Sequence, residues 1–557
     1  ILPVEGGEAT VITDFDLGVS EIEWSPDARR LAVVAAEWDG NWKGMSAEDR
    51  ARAPRRITRL GYRFDGRGWI HDRRSHVWMI DPQGDADPVC LTPGDSDETQ
   101  IAWAPDGSEI AFVSARHEER SIDPGSQSWC VPPNGGDAIA ATDVGMWALP
   151  SYDHSGTLHA IGQGDRWSFP DVSPLQRRGD DGAFSAVTTV DRNLVTLAPT
   201  LAPGGPRWLG DGTALSTLED SGRVRVVHIQ TDGSIVDAIG GDRLITGIDP
   251  RPDGSAAVFT ATSPTEPGDV WWWEDGELAR LTDLNTGFAA EAGLVEPKRF
   301  VMNHGGVEVE GWVYLPDGEG PVPLLFNIHG GPATQYGYGF FDEFQVYVGA
   351  GYGVVAINPR GASGYGSGFA RAVVGAWHEE MPPDLVDLLA APDAAAAEFP
   401  RLDTGAMGIM GGSYGGFATV RVTAADHRYR SAVAERGLYV WNSFAGTSDI
   451  GTFFDGMYVR RGATPDELWQ ASPLRYADQI TTPTLVLHSE SDWRCPIEQG
   501  EQLFRLLQTN SVPSEMLRFP GEGHELSRAG KPMHRLERFD AILEWHGRYL
   551  KERRGGA

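Results

Sequence analysis

A glycine-rich stretch in the C-terminal half carries the residue types of a serine nucleophile. Residues 408–417 join an apolar strand to the start of a helix, and Gly411, Ser413 and Gly415 form the G-x-S-x-G pattern of a nucleophile elbow. We interpret these glycines as the residues that permit a turn with positive φ and close neighbours. A serine held there points its hydroxyl out of the sheet, and the following helix offers N–H groups to a developing anion.

A serine nucleophile needs a base, and His524 is the candidate. It ends the glycine-loosened turn 520–524, directly after an expected strand at 515–519. An imidazole, with a pKa of about 6.5, takes and returns a proton at neutral pH. His488 lies inside an expected strand, and His534 and His546 lie in the last expected helix, so we expect these three to be packed or solvated.

The acid that orients the histidine should follow the preceding strand. Asp492 is the first choice there and Glu490 the second. A buried carboxylate would hold the imidazole and favour the imidazolium that forms during the reaction. The chain order Ser413, Asp492, His524 is that of α/β hydrolases.

Two backbone N–H groups are predicted to form an oxyanion hole. One belongs to Tyr414, which directly follows the nucleophile. The other belongs to Gly331, within the HGG-type motif at residues 329–332. Glycine at this position lets the backbone approach a tetrahedral oxyanion closely.

These motifs need a mainly parallel sheet, and the C-terminal half predicts one. From about residue 298, strands alternate with amphipathic helices. The expected strands are Val307–Tyr314, 324–329, 354–358, 407–410, 432–434, 484–487 and 515–519, and the expected helices are 383–396, 417–425, 497–508 and 533–550. We therefore predict an α/β-hydrolase catalytic domain over residues 291–557.

The first half instead repeats short strands. An aromatic residue or a proline, a polar turn and an alternating strand recur, clearly at Trp24 and Trp103 and more weakly at Tyr152, Trp208 and Arg251. Strand clusters repeating about every 40–55 residues are typical of a β-propeller. We predict a propeller of six or seven blades over residues 1–290, with its first strands missing from this chain. Residues 39–74 are expected to form an insertion, either a binding loop or a solvated decoration.

Composition excludes several classes of function. A net charge of −32 argues against nucleic acid as a partner, and no apolar run approaches the ~18 residues of a membrane span. Cys90, Cys130 and Cys495 make neither a disulfide framework nor a zinc spacing. We expect a reducing, cytoplasmic setting and no metal or cofactor. The chain begins at Ile1 without a methionine, which leaves a removed leader open.

As a set, the motifs resemble the prolyl oligopeptidase family of serine peptidases, in the branch of the acylaminoacyl peptidases. The matching stretches are 329–332, 358–361, 364–366, 411–416, 446–451, 492–497, 521–524 and 530–532. The resemblance implies a propeller that caps the hydrolase and admits only small peptides. It implies the same five site roles, and for Arg494 either a substrate contact or a lock on the Asp492 loop.

Two features depart from the family pattern. Residues 377–383 replace a usual Trp-Gly with a following aspartate, so we expect altered local geometry there. The double glutamate that anchors an amine in dipeptidyl peptidases is not clearly present, since Glu118 and Glu119 are a lone pair in a propeller loop.

The sequence thus predicts a serine peptidase acting on short peptides, releasing a blocked or free N-terminal residue. The alternatives are a carboxypeptidase or dipeptidyl peptidase of the same family, and an esterase or amide hydrolase with small non-peptide substrates. A propeller scaffold carrying an inactive hydrolase is a third interpretation, disfavoured by the intact motifs. The preferred residue, the exo direction and a homo-oligomeric state are left open.

Overall fold

The computed structural model describes residues 1–83, 86–194 and 204–551. An N-terminal region of β-sheets precedes a C-terminal α/β domain. The N-terminal elements are β1 (Val19–Trp24), β2 (Leu31–Trp38), α1 (Ala47–Arg52), β3 (Arg63–Phe64), β4 (Gly68–Trp69), β5 (Arg73–Ile80), β6 (Val89–Cys90), β7 (Glu98–Trp103), β8 (Ile110–Ser114), β9 (Gln127–Val131), β10 (Ile139–Ala140), β11 (Met146–Tyr152), β12 (Leu158–Gln163), β13 (Leu175–Arg178), β14 (Phe184–Ala186), β15 (Arg207–Trp208), β16 (Ala214–Asp220), β17 (Arg223–Ile229), β18 (Ile235–Ile239), β19 (Leu244–Pro250), β20 (Ala256–Ser263), β21 (Glu266–Glu274) and β22 (Glu277–Arg280).

The predicted repetition of small sheets in the first half is confirmed. Strands β1, β2, β5 and β6 form one antiparallel sheet, β7–β10 a second and β11–β14 a third. Strands β15–β18 and β19–β22 form two more antiparallel units, joined by one parallel pair between Val224 and Leu244. The resulting arrangement is propeller-like.

Alternation along the strands explains why these sheets stack. In β2, Ala32 and Val34 pack with Phe112 of the next sheet, whereas Leu31 and Val33 face the opposite side. Successive side chains of a strand point to opposite faces, so an apolar inner strand can pack against neighbouring structure on both faces of its sheet. The core of the N-terminal region is therefore divided among the gaps between sheets.

The insertion predicted at residues 39–74 holds α1 and the β3–β4 hairpin. Ser46 caps α1, because its hydroxyl accepts the Asp49 N–H at 3.1 Å. The hairpin packs on the C-terminal domain: Arg63 donates to the Thr447 carbonyl at 2.5 Å, and the Trp69 and Trp493 rings lie 5.8 Å apart. The insertion is thus more than a solvated decoration.

The C-terminal domain contains an eight-stranded sheet flanked by helices. Its elements are α2 (Thr286–Ala292), β23 (Lys298–His304), β24 (Val307–Tyr314), β25 (Val322–Ile328), α3 (Asp342–Gly349), β26 (Gly353–Ile357), α4 (Ser367–Ala370), α5 (Pro383–Glu398), β27 (Leu402–Gly412), α6 (Tyr414–Ala425), β28 (Tyr429–Glu435), α7 (Trp441–Thr447), α8 (Gly451–Asp455), α9 (Pro465–Ala471), β29 (Thr484–Ser489), α10 (Glu498–Thr509), β30 (Ser514–Phe519), α11 (Leu526–Ala529) and α12 (Pro532–Leu550). Short 3₁₀ turns occupy Arg371–Val373 and Pro473–Gln479, and a π-helical turn occupies Gly456–Arg460.

The strand order is β23-β24-β26-β25-β27-β28-β29-β30. Strands from β26 to β30 run parallel, and β23 and β24 pair antiparallel at one edge. The predicted mainly parallel sheet is confirmed, with β23 as a strand that the sequence pattern did not reveal. In the described part of the chain, no helix has the length and apolarity needed to cross a membrane.

Both faces of this sheet are buried. Phe326 and Ile409 face a core that includes Leu388 of α5 and Phe417 of α6, whereas Leu325 faces a second core on the opposite side. Each such side chain stabilises the fold by ~1.5–3 kcal/mol when it leaves water. Burial on both faces explains why these strands read as nearly continuous apolar runs.

The two regions meet closely at Gly222. Its carbonyl accepts the Tyr338 N–H, and its own N–H donates to the Gln335 side chain, each at 2.8 Å. A Cβ on Gly222 would lie 2.5 Å from the Trp312 ring, so only glycine fits at this contact. The loop that follows β25 is therefore held between the N-terminal region and the sheet.

Candidate active site

Strand β27 turns sharply into α6 at Ser413. The serine has φ 61° and ψ −122°, a backbone conformation that non-glycine residues rarely adopt and that is typical of functional sites. Of the two reasons inferred for the flanking glycines, positive φ is wrong, because φ of Gly411 and Gly415 lies outside the left-handed region, and the need for close neighbours is confirmed. A Cβ on either would lie within 2.6 Å of the Ile328 carbonyl oxygen, so close packing against β25 requires glycine.

His524 and Asp492 are in direct contact. Nδ1 of His524 lies 2.8 Å from Oδ2 of Asp492, and both side chains are buried. The other carboxylate oxygen accepts the Cys495 N–H at 2.7 Å, which fixes the orientation of Asp492. Glu490, the second choice for the acid, instead forms a half-exposed ion pair with Arg518 at 3.0 Å.

The surroundings of His524 keep its ring neutral. Burial lowers the pKa of His524, and the guanidinium groups of Arg436 and Arg494 lower it further. Burial raises the pKa of Asp492, while His488 and the Cys495 N–H act in the opposite direction. A neutral imidazole with Nδ1–H facing Asp492 leaves Nε2 free to accept a proton.

Ser413 and His524 line the same cavity, which has a volume of about 820 Å³. Within the described residues, no hydrogen bond joins the serine hydroxyl to His524. Such bonds are often long without substrate and tighten in the Michaelis complex. Leu244, Thr260 and Thr262 of the N-terminal region also line the cavity, so both regions contribute to the walls of the cavity that contains Ser413.

Tyr414 and Gly331, the two predicted oxyanion donors, line the same cavity as Ser413. Tyr414 is the first residue of α6, so its N–H has no partner within the helix. The 330–331 segment approaches from β25, and a Cβ on Gly330 would lie 3.4 Å from the Cβ of Ser413. The Gly330 carbonyl is held by the Thr334 hydroxyl at 2.7 Å and by Nδ1–H of His329 at 2.6 Å. Burial lowers the pKa of His329 to about 4, so that ring stays neutral.

Asp384 holds Tyr414 of the nucleophile loop, and it was not predicted as a site residue. Its Oδ2 accepts the Tyr414 hydroxyl at 2.6 Å and the Trp377 Nε1–H at 3.0 Å. The unusual 377–383 stretch therefore still delivers Trp377 and a carboxylate to this place. A tryptophan followed by an aspartate seven positions later was the available signal.

The contacts of Arg494 are compatible with both of its predicted roles. Its guanidinium pairs with Asp449 at 2.8 Å, and its carbonyl accepts the Ser448 hydroxyl at 2.6 Å, contacts that fix the loop after Asp492. The same side chain lines the cavity.

The three other histidines considered in the C-terminal half, His488, His534 and His546, do not line the cavity that contains Ser413. His488 is buried and donates to the Cys495 carbonyl at 2.7 Å, His534 contacts Glu522 at 2.6 Å, and His546 contacts the Ser431 hydroxyl at 2.5 Å. As expected, each is packed within the fold.

One carboxylate reaches the site from the N-terminal insertion. Asp65, in the β3–β4 turn, accepts backbone N–H groups of Trp493 and His524. Sequence reasoning missed it, because nothing in the pattern distinguishes Asp65 from Asp39, Asp49 or Asp72 of the same insertion.

Comparison with known proteins gives consistent matches. A family model described as the prolyl oligopeptidase family matches residues 338–553. The uncharacterized peptidase YuxL of Bacillus subtilis (strain 168) is 31% identical, over 99% of this chain and 86% of YuxL. The probable dipeptidyl-peptidase 5 of Aspergillus terreus is 26% identical, over 82% of this chain and 66% of that protein. The solved Pyrococcus horikoshii acylaminoacyl peptidase has a TM-score of 0.82 at 24% identity, covering 96% of this chain and 82% of its own, which is a likeness of fold.

Proposed function

Because the chain belongs to the prolyl oligopeptidase family of serine peptidases, we propose that it hydrolyses short peptides with a Ser413–His524–Asp492 triad. The observation that carries the proposal is the 2.8 Å contact between His524 Nδ1 and Asp492 Oδ2, beside the cavity that Ser413 lines. The strained backbone at Ser413 adds support, since such strain is retained where it serves a site.

The proposed reaction follows the serine-hydrolase course. Oγ of Ser413 attacks the scissile carbonyl while Nε2 of His524 takes the hydroxyl proton and passes it to the leaving amine. Asp492 holds the tautomer and stabilises the imidazolium. The N–H groups of Tyr414 and Gly331 receive the oxyanion, and water then releases the acyl group.

The apolar end of the cavity favours an apolar side chain next to the scissile bond. It is lined by Trp377, Phe417, Trp441, Phe444 and Phe454. The Trp377 ring stacks on Tyr414 at 5.9 Å, so this aromatic group is continuous with the nucleophile loop. We assign to Arg494, which also lines the cavity, a contact with a substrate carbonyl or carboxylate.

Release of a blocked or free N-terminal residue is the activity that we favour. Dipeptidyl peptidases are among the relatives, but Glu118 and Glu119 are not among the described residues that line the cavity. Glu119 instead pairs with Arg166 at 3.2 Å. A carboxypeptidase, or an esterase or amide hydrolase using the same triad, is the alternative.

The N-terminal region has the proposed role of a cap. We propose that residues 1–290 form a β-propeller and residues 291–557 the catalytic domain, although α2 (Thr286–Ala292) crosses that boundary. Five four-stranded units in the described residues support a propeller, and the count of six or seven blades stays a prediction.

The cytoplasmic setting, the absence of nucleic-acid partners and a homo-oligomer also stay predictions.

A substrate panel and one substitution test this function. Anilides of acetylated residues, free residues and dipeptides, together with peptides that have free C-termini, should separate the exo directions. Ser413→Ala should abolish turnover, leaving at most the ~10³–10⁴-fold acceleration that binding and an oxyanion hole give alone. A fluorophosphonate should label Ser413, and labelling of another serine would overturn the assignment.

A further inference from the structure

Asp65 connects the N-terminal insertion to two loops of the α/β domain at once. Its Oδ1 accepts the Trp493 N–H at 3.0 Å, and both of its carboxylate oxygens lie 3.1 Å from the His524 N–H. The side chain belongs to a residue that is only 8% exposed. Its hydrogen bonds therefore form in a largely desolvated place, where they are stronger than in water.

The two loops held in this way are those that carry the proposed acid and base. Trp493 directly follows Asp492, and His524 is bound at its own backbone N–H. Strands β29 and β30 place these loops side by side, and the Glu490 and Ser491 N–H groups extend the pairing by donating to the Phe519 and Glu522 carbonyls at 3.0 and 2.9 Å. The Asp65 carboxylate adds a further link beyond these bonds, at Trp493 and His524.

Asp65 is itself held in place. Its backbone N–H donates to Asp449 at 2.8 Å, and Asp449 is the ion-pair partner of Arg494. A Cβ on Gly523 would lie 3.2 Å from Oδ1 of Asp65, so the absence of a side chain at Gly523 lets the carboxylate come close to the His524 loop.

We propose that Asp65 is a positioning residue of the active site, and that the N-terminal insertion completes the alignment of Asp492 and His524. The proposal rests on the proposed function. Asp65 touches neither Ser413 nor the reacting atoms and acts through the backbone of the two loops. A misplacement of about 1 Å at a catalytic group can cost ~10²-fold in rate, so loss of this link should lower kcat.

The other contacts of the hairpin provide a useful contrast. Arg63 lies 4.4 Å over the Trp493 ring and binds the Thr447 carbonyl, and Trp69 packs edge-on against Trp493. These contacts attach the hairpin without binding the His524 backbone. The hairpin can therefore stay docked when the Asp65 carboxylate is removed.

The test compares Asp65→Asn and Asp65→Ala with Asp72→Asn. Asp72 is a buried aspartate of the same insertion whose carboxylate pairs with Arg73 at 2.9 Å. We expect kcat on a short peptide anilide to fall about tenfold for Asp65→Asn and ~10²-fold for Asp65→Ala, with KM changed less than threefold. Asp72→Asn should keep kcat within about twofold of the parent.

The pH profile gives a readout that loss of stability alone would not move. The charged and titratable groups around the His524 ring are Asp492, His488, Arg436, Arg494, Glu525 and Asp65. Removing the Asp65 charge withdraws one anion that favours the imidazolium, so the acid limb of kcat/KM should move to lower pH in both Asp65 variants. All assays are run below the melting temperature of every variant.

The outcomes separate this proposal from the function on which it rests. If activity of the parent does not require Ser413 and His524, the proposed function is wrong. If it does require them, but folded Asp65 variants keep the parental kcat and pH profile, the positioning role is wrong. An equal loss of kcat in Asp72→Asn would also overturn it, because the effect would then belong to the insertion in general.

Discussion

His524 and Asp492 lie in the loops that follow adjacent parallel strands, β30 and β29, and their side chains meet at 2.8 Å. Neighbouring parallel strands bring their carboxyl ends to one edge of a sheet, and ligands of open α/β sheets bind there. Ser413 follows β27 at the same edge, so it shares one cavity with His524, and the buried Asp492 lies directly behind the imidazole.

The contact with Asp492 should be essential for turnover. Asp492→Asn should lower kcat by a factor on the order of 10⁴, because an amide favours the wrong imidazole tautomer. Glu490→Gln is the matched control, since that carboxylate pairs with Arg518 at 3.0 Å on the surface, and it should change kcat less than about twofold. Steady-state kinetics with one peptide anilide measures kcat of both variants. If Glu490→Gln causes the large loss and Asp492→Asn a mild one, Glu490 is the acid.

Activity should persist at unusually low pH for a histidine base. An unperturbed imidazole predicts an acid limb of kcat/KM with a midpoint of about 6–7.5. Burial and the Arg436 and Arg494 charges lower the pKa of His524, so the imidazole stays neutral to lower pH. The midpoint of the acid limb of kcat/KM should therefore lie below about 6.5.

The Arg436 charge offers a direct check of that direction. Arg436→Gln removes a cation that disfavours the imidazolium, so the midpoint should move upward. Arg518→Gln, on the surface, should leave the midpoint in place. Profiles of kcat/KM measured between about pH 4.5 and 9 give both values. A parental midpoint above 7 would contradict the lowered pKa.

The Tyr414 side chain and its backbone N–H should have separable roles. Tyr414→Phe removes the 2.6 Å hydrogen bond to Asp384 and leaves the buried carboxylate with the Trp377 donor at 3.0 Å. We expect unfolding to become easier by ~1–3 kcal/mol. The backbone N–H of residue 414 remains, so kcat should fall less than about tenfold, whereas loss of an oxyanion donor costs ~10²–10³-fold. Denaturant unfolding and kinetics on the same variant separate the two effects, and a 10³-fold loss of kcat with unchanged stability would contradict this division.

Local patterns predicted the sheet and the main site residues. Short apolar runs located β25, β27 and β29, because parallel strands that are buried on both faces have nearly continuous apolar sequences. Strand β23 was not predicted, because its alternating exposed and buried residues give no continuous apolar run. Asp65 was missed for another reason: its role comes from tertiary contacts, and it lies more than 400 positions from the backbone groups that it binds. Spacing along the chain carries no information about such a contact.

The enclosure of the cavity should limit the size of substrates. Leu244, Thr260 and Thr262 of the N-terminal region line the same cavity as Ser413, and we expect this cover to keep a protein substrate from reaching the nucleophile directly. The regions are also held together at Gly222, where a Cβ would lie 2.5 Å from the Trp312 ring, and opening would have to separate this contact. If opening is required for entry, it also limits kcat. At equal enzyme concentration, we expect rapid cleavage of an acylated-residue or dipeptide anilide and almost none of denatured casein.

Gly222→Ala gives a second test, because its added methyl group should loosen the junction and increase the relative rate on casein. Comparable rates on both substrates for the parent enzyme would show that the N-terminal region does not screen substrates, and would indicate an open endopeptidase.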